Sequence, residues 1–424
     1  MPYAIQQTTD GGYVVVGESS SVDGDITNHH GTVGTYSDIW VVKLSNTGNI
    51  EWQKSLGGSS VDIGSSIMQT ADGGYIIGGS TMSNNGDITV PPVNYSNYWI
   101  VKIDSMGIIQ WDKTLGNISG YDYSSSIRQT IDGGYIVAGV TDAVSGDVTS
   151  HYGGNDTWIV KLSSNGVIQW QKSYGGSGND IPQSIIQTND GGYIFAGSSQ
   201  SNDGDVSGHH GSAISYDAWI VKLNVNGIIQ WQKSLGGTGG DGAYSIKEMP
   251  NGGYTFAGYS SSTDGDTVGN SGGSGNFWIV RINNVGNIIW QKSMGGSLLD
   301  YGQSMSQTTD GGFIMNGRSF SDNGDVSFHY GNPTYSDIWV VKVAPEVLST
   351  DEKEYEKFNI YPNPATEKLF ISDLFSDEKY EIYSVTGQMV KTGKTSQSSV
   401  DVHDLAKGIY FVEIKNIKQK FIKK

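Results

Sequence analysis

The chain repeats a unit of about sixty residues six times, and this periodicity constrains its fold more than any other feature. A Gly-Gly pair followed by an aromatic residue recurs at spacings of 62, 60, 58, 61 and 59 residues. These pairs begin at Gly11, Gly73, Gly133, Gly191, Gly252 and Gly311. All 11 tryptophans fall into two further phases of the same repeat. Self-similarity at a fixed period is typical of propellers, solenoids and other repeat architectures.

Each unit has the pattern of four short strands. In the fourth unit these runs cover residues 184–188, 192–197, 219–223 and 228–233, which are rich in Ile, Val, Tyr and Trp and bounded by Gly, Asn and Asp. Tight-turn residues separate strands one and two and strands three and four. Six four-stranded antiparallel units in tandem predict an all-β fold, a six-bladed β-propeller over residues 1–344.

The connection between the second and third strands is long in every unit. In the fourth unit it is a polar stretch of about twenty residues, 198–217. Because strands alternate in direction, all six long connections are expected on one face and the tight turns on the other. Function on a rigid scaffold usually resides on such loops, so the long-loop face is the predicted functional surface.

The two ends of the repeat array differ from its interior. The sixth unit has no strand of the "WQK" type after Trp339, and the first unit begins at its first strand. An Asp precedes the first strand in the later units, at Asp62, Asp122, Asp180, Asp241 and Asp300. We therefore expect a closing strand for the sixth blade upstream of Met1, in a natural chain that begins earlier.

Charge and composition exclude several classes of protein. The net charge is −17, of which −16 falls within residues 1–344, whereas nucleic-acid-binding proteins carry basic patches. There is no cysteine, so disulfides, thiolate metal sites and cysteine nucleophiles are excluded. No run approaches the eighteen apolar residues of a membrane-spanning helix.

The last part of the chain changes character. Residues 345–357 have the composition of a charged linker. Short alternating runs between 358 and 424 then predict a small immunoglobulin-like β-sandwich. Four motifs follow in order, "NIYPNPATEKLFI", "YEIYSVTGQMV", "LAKGIYFVEI" and a terminal "KFIKK". Their main residues are Pro362, Asn363, Pro364, Gly387, Gly408, Tyr410, Lys420 and Lys423.

These motifs resemble the type A C-terminal sorting domain of the Bacteroidota type IX secretion system. The upstream units are similar to the Gly-rich propeller repeats found in front of such domains. The resemblance implies secretion across the outer membrane of a Gram-negative bacterium, with the secretion machinery and a sortase as partners. The product would be released or attached to the cell surface. Such clients carry a signal peptide, which residues 1–10 lack, in keeping with a longer natural chain. The alternative is an adhesive immunoglobulin-like module.

Every long loop contains a Gly-Asp pair. The aspartates are Asp25, Asp87, Asp147, Asp205, Asp266 and Asp325, and a second Asp precedes the glycine at Asp23, Asp203 and Asp264. Two carboxylates separated by one glycine can present oxygens to a hard cation, which makes calcium the candidate ligand. The alternative is a turn in which Asp accepts a hydrogen bond from a nearby backbone N–H. No cofactor other than calcium is indicated.

Histidine and aspartate occur together in four of the six loops. The pairs are His29 with Asp38, His151 with Asp156, His209 with Asp217 and His329 with Asp337. Units two and five have neither and carry Asn97 and Asn276 instead of the aspartate. The pattern predicts a hydrogen bond that pins each loop to its blade, and the alternative is a repeated metal or acid–base site.

No residue is nominated as catalytic. The sequence contains none of the common motifs of serine hydrolases, zinc proteases or nucleotide-binding enzymes. The regular tryptophans are expected to pack between blades. The most consistent function is binding or adhesion to a glycan or a protein. A glycan-active enzyme and a structural component of a surface layer remain the alternatives.

Overall fold

The computed structural model describes the chain except residues 33, 93–94, 271–273, 333, 345–359, 372–377, 386, 397 and 415–416. The chain divides into two compact units, Met1–Pro345 and Glu346–Lys424. The predicted linker at 345–357 lies outside the described residues. No helix with the length and hydropathy of a membrane span occurs in the part of the chain that is described.

The first unit consists of consecutive antiparallel sheets. The first has β1 Pro2–Gln7, β2 Tyr13–Ser19, β3 Asp38–Leu44 and β4 Ile50–Leu56, and the second β5 Asp62–Gln69, β6 Tyr75–Thr81, β7 Asn97–Ile103 and β8 Ile109–Leu115. The third has β9 Tyr123–Gln129, β10 Tyr135–Thr141, β11 Asp156–Leu162 and β12 Ile168–Tyr174, and the fourth β13 Asp180–Gln187, β14 Tyr193–Ser199, β15 Asp217–Leu223 and β16 Ile229–Leu235. The fifth has β17 Asp241–Glu248, β18 Tyr254–Ser260, β19 Asn276–Ile282 and β20 Ile288–Met294, and the sixth β21 Asp300–Gln307, β22 Phe313–Ser319 and β23 Asp337–Val343.

The strands of each sheet pair in sequence order, as expected for a propeller blade. The first strand of each sheet lies against the first strand of the next sheet, so these strands are innermost and line the axis. The sequence did not reveal which strand is innermost. The predicted all-β propeller fold is confirmed, and the sixth sheet has three strands among the described residues.

The tight turns between first and second strands are stabilised by one aspartate each, except in the fifth sheet, where Asn251 takes its place. In the fourth sheet Asp190 accepts a hydrogen bond from Gly192 N at 2.9 Å, and Lys222 donates to its carboxylate at 2.8 Å. Gly191 has a φ of 80°, a conformation that other residues rarely adopt. Because Lys222 lies on the third strand, the turn and the sheet hold each other in register.

Aromatic side chains join neighbouring sheets. Trp219 is fully buried within its sheet stack, with its ring 5.2 Å from Phe195. Trp231, on the outermost strand of the fourth sheet, packs 6.1 Å from Tyr254 of the fifth sheet. A Cβ on Gly286, in a turn of that fifth sheet, would come within 2.9 Å of the Trp231 ring. The tryptophans therefore pack within and between blades.

The outward face of the sixth sheet is exposed. Ile338 and Val340 are 83% and 56% exposed, whereas their counterparts Ala218 and Ile220 in the fourth sheet are fully buried against the fifth sheet. In the first sheet Ile5 is 66% exposed. These two faces correspond to the two surfaces that pack against each other wherever consecutive sheets are in contact.

The second unit is a small β-sandwich. One sheet contains β24 Ile360–Tyr361, β25 Lys368–Ile371 and β28 Ser399–Asp401. The other contains β27 Met389–Lys394, β26 Lys379–Ser384, β29 Gly408–Ile414 and β30 Ile417–Lys423, in that spatial order. Leu369 of the first sheet and Ile382, Val412 and Phe421 of the second share one core. This confirms the predicted sandwich.

Candidate functional site

The long-loop face is organised around the linkers that join consecutive blades. At the first junction Asp62, which opens β5, is fully buried. Its Oδ2 accepts hydrogen bonds from Gly58 N and Ser83 Oγ, both at 2.8 Å. One side chain thus ties together the linker, the first strand and the long loop of the second blade.

A second buried carboxylate approaches the same linker from the preceding blade. Asp38, which opens β3, is 1% exposed. A Cβ on Gly57 would lie 2.5 Å from Asp62 Oδ2 and 2.8 Å from Asp38 Oδ1, so only glycine fits between the two carboxylates. Burial, together with the charge of Asp38, raises the pKa of Asp62 to about 6.

The same junction recurs between all consecutive blades. The acceptor aspartates are Asp122, Asp180, Asp241 and Asp300, and their backbone donors are the N–H groups of Asn117, Gly176, Gly237 and Gly296. Burial raises the pKa of Asp122 to about 6. It does the same for Asp156, which opens β11 and approaches the next junction from the preceding blade. The repeated aspartate noted in the sequence is therefore a buried structural acceptor.

The Gly-Asp pairs bind the same linkers from the other side. Asp87 N donates to Gly57 O at 2.9 Å, and Asp87 Oδ2 accepts from Gly57 N at 3.1 Å. Asp147, Asp205, Asp266 and Asp325 make the same two bonds to Gly116, Gly175, Gly236 and Gly295. This reciprocal pair orients the carboxylate toward the protein backbone.

The additional aspartates of these loops differ in their surroundings. Asp203 Oδ1 accepts from Ser177 N at 2.7 Å, and Asp264 Oδ1 accepts from Thr238 N at 2.8 Å. Asp23 and Asp25 are exposed on the loop of the first blade. Among the described residues these carboxylates do not form a group of three potential metal ligands. Asp401, His403 and Asp404 in the second unit do, on an exposed surface where Lys391 pairs with Asp404. Calcium binding by the loops stays a prediction.

The structure places each predicted histidine near its aspartate. The shortest nitrogen–oxygen distances are 3.2 Å for His29–Asp38, 3.6 Å for His209–Asp217, 3.8 Å for His329–Asp337 and 3.9 Å for His151–Asp156. The side chains of His29 and His209 are nearly fully buried beside these carboxylates. These contacts lack hydrogen-bond geometry: among the described residues neither ring nitrogen of His29 has a hydrogen-bond partner, and the Nε2 atoms of His151, His209 and His329 pair with backbone carbonyls of their own loops instead.

The adjacent histidines, which sequence reasoning overlooked, make the hydrogen bonds to the aspartates in units one and four. His30 Nδ1 lies 3.1 Å from Asp38 Oδ2, and His210 Nδ1 lies 3.0 Å from Asp217 Oδ2. Their backbone N–H groups donate to the same oxygens. The doubled His-His in units one and four was the available signal.

The residues of the sorting motifs have structural roles in the second unit. Asn363 donates to Lys420 O at 3.0 Å and accepts from Ile422 N at 2.9 Å. Pro362 and Pro364 both follow cis peptide bonds on either side of it. Tyr410 packs its ring 5.7 Å from Phe421. Gly387 forms a turn with a φ of 81°, and Gly408 pairs with Lys423 across β29 and β30.

Comparison with protein families identifies the second unit. Residues 359–424 match the family model described as a secretion system C-terminal sorting domain. This confirms the resemblance drawn from the four motifs. The match covers the second unit, so it establishes the export route and leaves the activity of the repeats unassigned. No curated protein matches the chain.

Several solved structures are weakly similar to the chain. Sqt1 from Chaetomium thermophilum is 11% identical with a TM-score of 0.38, covering 99% of this chain and 96% of that one. PorZ, a surface component of the type IX secretion system of Porphyromonas gingivalis, is 12% identical with a TM-score of 0.34, covering 98% and 58%. The WD40 domain of Neurospora crassa Pan2 is 11% identical with a TM-score of 0.40, covering 74% and 85%. Similarities this low carry no inference about ligands.

Proposed function

We propose that this client of the type IX secretion system, a secreted or cell-surface propeller protein of the Bacteroidota, binds a glycan or a protein ligand through its long-loop face. The sorting domain supports the extracellular location. The observation that carries the proposal is the concentration of exposed aromatic side chains on the long loops. They are Tyr36, Tyr95, Tyr152, Phe328, Tyr330 and Tyr335, which are between 38% and 77% exposed.

Exposed aromatic side chains on a rigid scaffold are suited to recognition. Tyrosine offers a large contact area at a low entropic cost and a hydroxyl for hydrogen bonding. The loops of the second to sixth blades are fixed at their bases by the aspartates of the Gly-Asp pairs, such as Asp87 and Asp205. A ligand would therefore meet a surface that is largely ordered before binding, which reduces the entropic cost of association.

The acidic residues of this face favour binding over catalysis. The carboxylates of Asp62 and Asp241 accept hydrogen bonds from backbone and serine donors and are fully buried. A general acid or base has to reach the proton that it transfers, which these buried groups do not. The exposed aspartates Asp23 and Asp25 remain accessible, and we assign them to calcium binding.

A glycan array tests the proposal. The full chain is applied in calcium and again in EDTA, beside a pull-down of proteins from the bacterial cell surface. Binding that is lost in EDTA supports a calcium-dependent adhesin that uses the Gly-Asp loops. Binding that survives EDTA supports calcium-independent recognition. The absence of binding in both the array and the pull-down contradicts the proposal and favours a structural surface-layer role. Hydrolysis of a bound glycan favours an enzyme.

A further inference from the structure

Three tyrosines gather where the fifth and sixth blades meet. They lie on β17, β18 and β21, the first two strands of the fifth blade and the first strand of the sixth. This axial tyrosine cluster consists of Tyr244, Tyr259 and Tyr301.

Tyrosine occurs at only some of the equivalent positions of the repeat. Tyr244 of β17 corresponds to Ser65, Ser125, Gln183 and Gln303 in four other blades and to Tyr3 in the first. Tyr259 of β18 corresponds by strand register to Ser80, Val140 and Ser198. A Cβ on Gly242 would come within 2.9 Å of the Tyr259 ring, so this tyrosine also fills the space beside a glycine.

The tyrosines are close enough to form one surface. The rings of Tyr244 and Tyr259 are 5.9 Å apart, and those of Tyr259 and Tyr301 are 4.9 Å apart. Burial raises the pKa of Tyr244 and of Tyr259, and the neighbouring Tyr301 adds to both effects.

The hydroxyls of the cluster are available to a ligand. Core tyrosines of this protein use theirs internally, since Tyr98 donates to Trp158 O at 3.0 Å and Tyr174 donates to Gly227 O at 2.6 Å. Within the described part of the chain, no hydroxyl of the axial tyrosine cluster makes such a bond, and none is a buried unpartnered atom. Tyr244, Tyr259 and Tyr301 are each partly exposed.

One arginine adjoins the cluster. Arg318 of β22 occupies the register position of Tyr259, pairs across the sheet with Tyr301, and is exposed on the same face of the sixth sheet as Ile338. The other arginines are structural, because Arg128 donates to Ile127 O at 2.6 Å and Arg281 is buried and donates to Ile282 O at 2.8 Å. In the part of the chain that is described, Arg318 has no carboxylate partner.

We propose that the axial tyrosine cluster and Arg318 bind the pyranose rings of a neutral glycan. Sugar rings present C–H faces that pack on tyrosine rings and hydroxyls that pair with phenol and guanidinium groups. The net charge of −16 over residues 1–344 disfavours a polyanionic glycan. The inference rests on the proposed function and assigns it a site and a ligand class.

The test uses an array of neutral oligosaccharides (α-glucans, β-glucans, mannans and galactans) with uronic-acid oligomers beside them. The best neutral oligosaccharide is then titrated calorimetrically against the full chain. We expect Tyr244→Ala and Tyr259→Ala each to weaken binding at least tenfold, as hot-spot aromatics do. Tyr259→Phe, which keeps the ring and its packing, is expected to weaken binding severalfold.

Matched controls separate this inference from the proposed function. Ile131→Ala and Val225→Ala remove exposed side chains from the tight turns of the opposite face and should leave the affinity unchanged. Tyr152→Ala and Tyr335→Ala probe the long-loop aromatics on which the proposed function rests. Glycan binding that is lost in these variants and kept in the Tyr244 and Tyr259 variants overturns the inference while the proposed function stands. Preference for uronic acids, or no glycan binding at all, also overturns it, and in the latter case the pull-down decides whether the face binds a protein.

A chemical readout covers the case in which an alanine variant misfolds. Tetranitromethane nitrates accessible tyrosines of the unaltered chain, and mass spectrometry locates the modified residues. The bound oligosaccharide should protect Tyr244, Tyr259 and Tyr301 and leave Tyr335 reactive. Equal modification of all four with and without the oligosaccharide contradicts the assignment.

Discussion

The fourth and sixth sheets have nearly the same third-strand sequence, "DAWIVKL" and "DIWVVKV", and very different environments. In the fourth sheet Ile220 and Trp219 are fully buried, because the fifth sheet covers one face and the third sheet the other. In the sixth sheet the counterpart of Ile220, Val340, is 56% exposed. The comparison teaches that in a repeat protein the burial of a residue depends on the neighbouring unit as well as on its own pattern.

The largest expected effect comes from placing a charge on the two equivalent faces. Ile220→Asp should lower the free energy of unfolding by about 4 kcal/mol or more, because the carboxylate would be buried without a partner. Val340→Asp should change it by about 0.5 kcal/mol or less, because that position is in water. Urea unfolding followed by tryptophan fluorescence measures both. Equal losses would mean that the outer face of the sixth sheet is covered in solution.

Removing the equivalent tryptophans should give a smaller difference in unfolding free energy, with the fourth sheet again losing more than the sixth. Trp219→Ala is expected to cost about 3–5 kcal/mol of unfolding free energy, because it empties a closed core site. Trp339 is half-buried and packs on one side against Phe277, with ring centroids 4.5 Å apart. We expect Trp339→Ala to cost about 1–2 kcal/mol, in proportion to its smaller buried area. A reversed order in denaturation measurements would refute this account.

Replacing the aspartates that open the first strands should destabilise the fifth and sixth blades equally, because the sixth sheet is covered on the side that faces the fifth. Asp241 and Asp300 each accept hydrogen bonds from a glycine N–H and a serine hydroxyl, Ser262 and Ser321 respectively. Replacing either by Ala leaves these donors unsatisfied and should cost about 2–3 kcal/mol. Similar falls in melting temperature are expected. A silent Asp300→Ala would show that the whole sixth sheet is loose.

The pH dependence of stability gives the smallest expected effect. Because folding raises the pKa of Asp62, Asp122 and Asp156 to about 6, their stabilising contribution is complete below about 3.8 and is lost as the pH rises through 6. Between pH 7 and pH 5 we expect a gain of about 1 kcal/mol per group. Differential scanning calorimetry should show a rising melting temperature over this range, and Asp122→Asn should reduce the slope.

The aspartates of the tight turns set the lower limit of the pH range in which the protein is most stable. Asp72, Asp132 and Asp190 accept hydrogen bonds from threonine, lysine and backbone donors, which outweigh their slight desolvation and lower their pKa values to about 2. Their contribution is present above about 3.8 and is lost as the pH falls toward 2. Stability should therefore be greatest near pH 4 to 6. A maximum above pH 7 would contradict the assignment of the junction aspartates as buried acids.

Much of the candidate face was readable from the sequence, with one systematic gap. The period placed the Gly-Asp pairs, the histidines and the strand-opening aspartates in register, since each is a local element of the repeat. The partners of these residues were not readable. His30, and not its predicted neighbour His29, makes the hydrogen bond to Asp38, because ring direction depends on the packed loop. Asp87 bonds Gly57, which lies in the linker from the preceding blade.

The sequence by itself determined the repeat, the four-stranded unit, the two turn types and the sorting domain. These follow from alternation, turn residues and contiguous motifs, which act over a few residues. Only the folded structure shows which strand is innermost, which faces of the first and sixth sheets are exposed, and that three tyrosines of the fifth and sixth blades pack together. Tyr244 and Tyr301 are 57 positions apart in the chain, and they lie in one cluster because consecutive blades pack side by side.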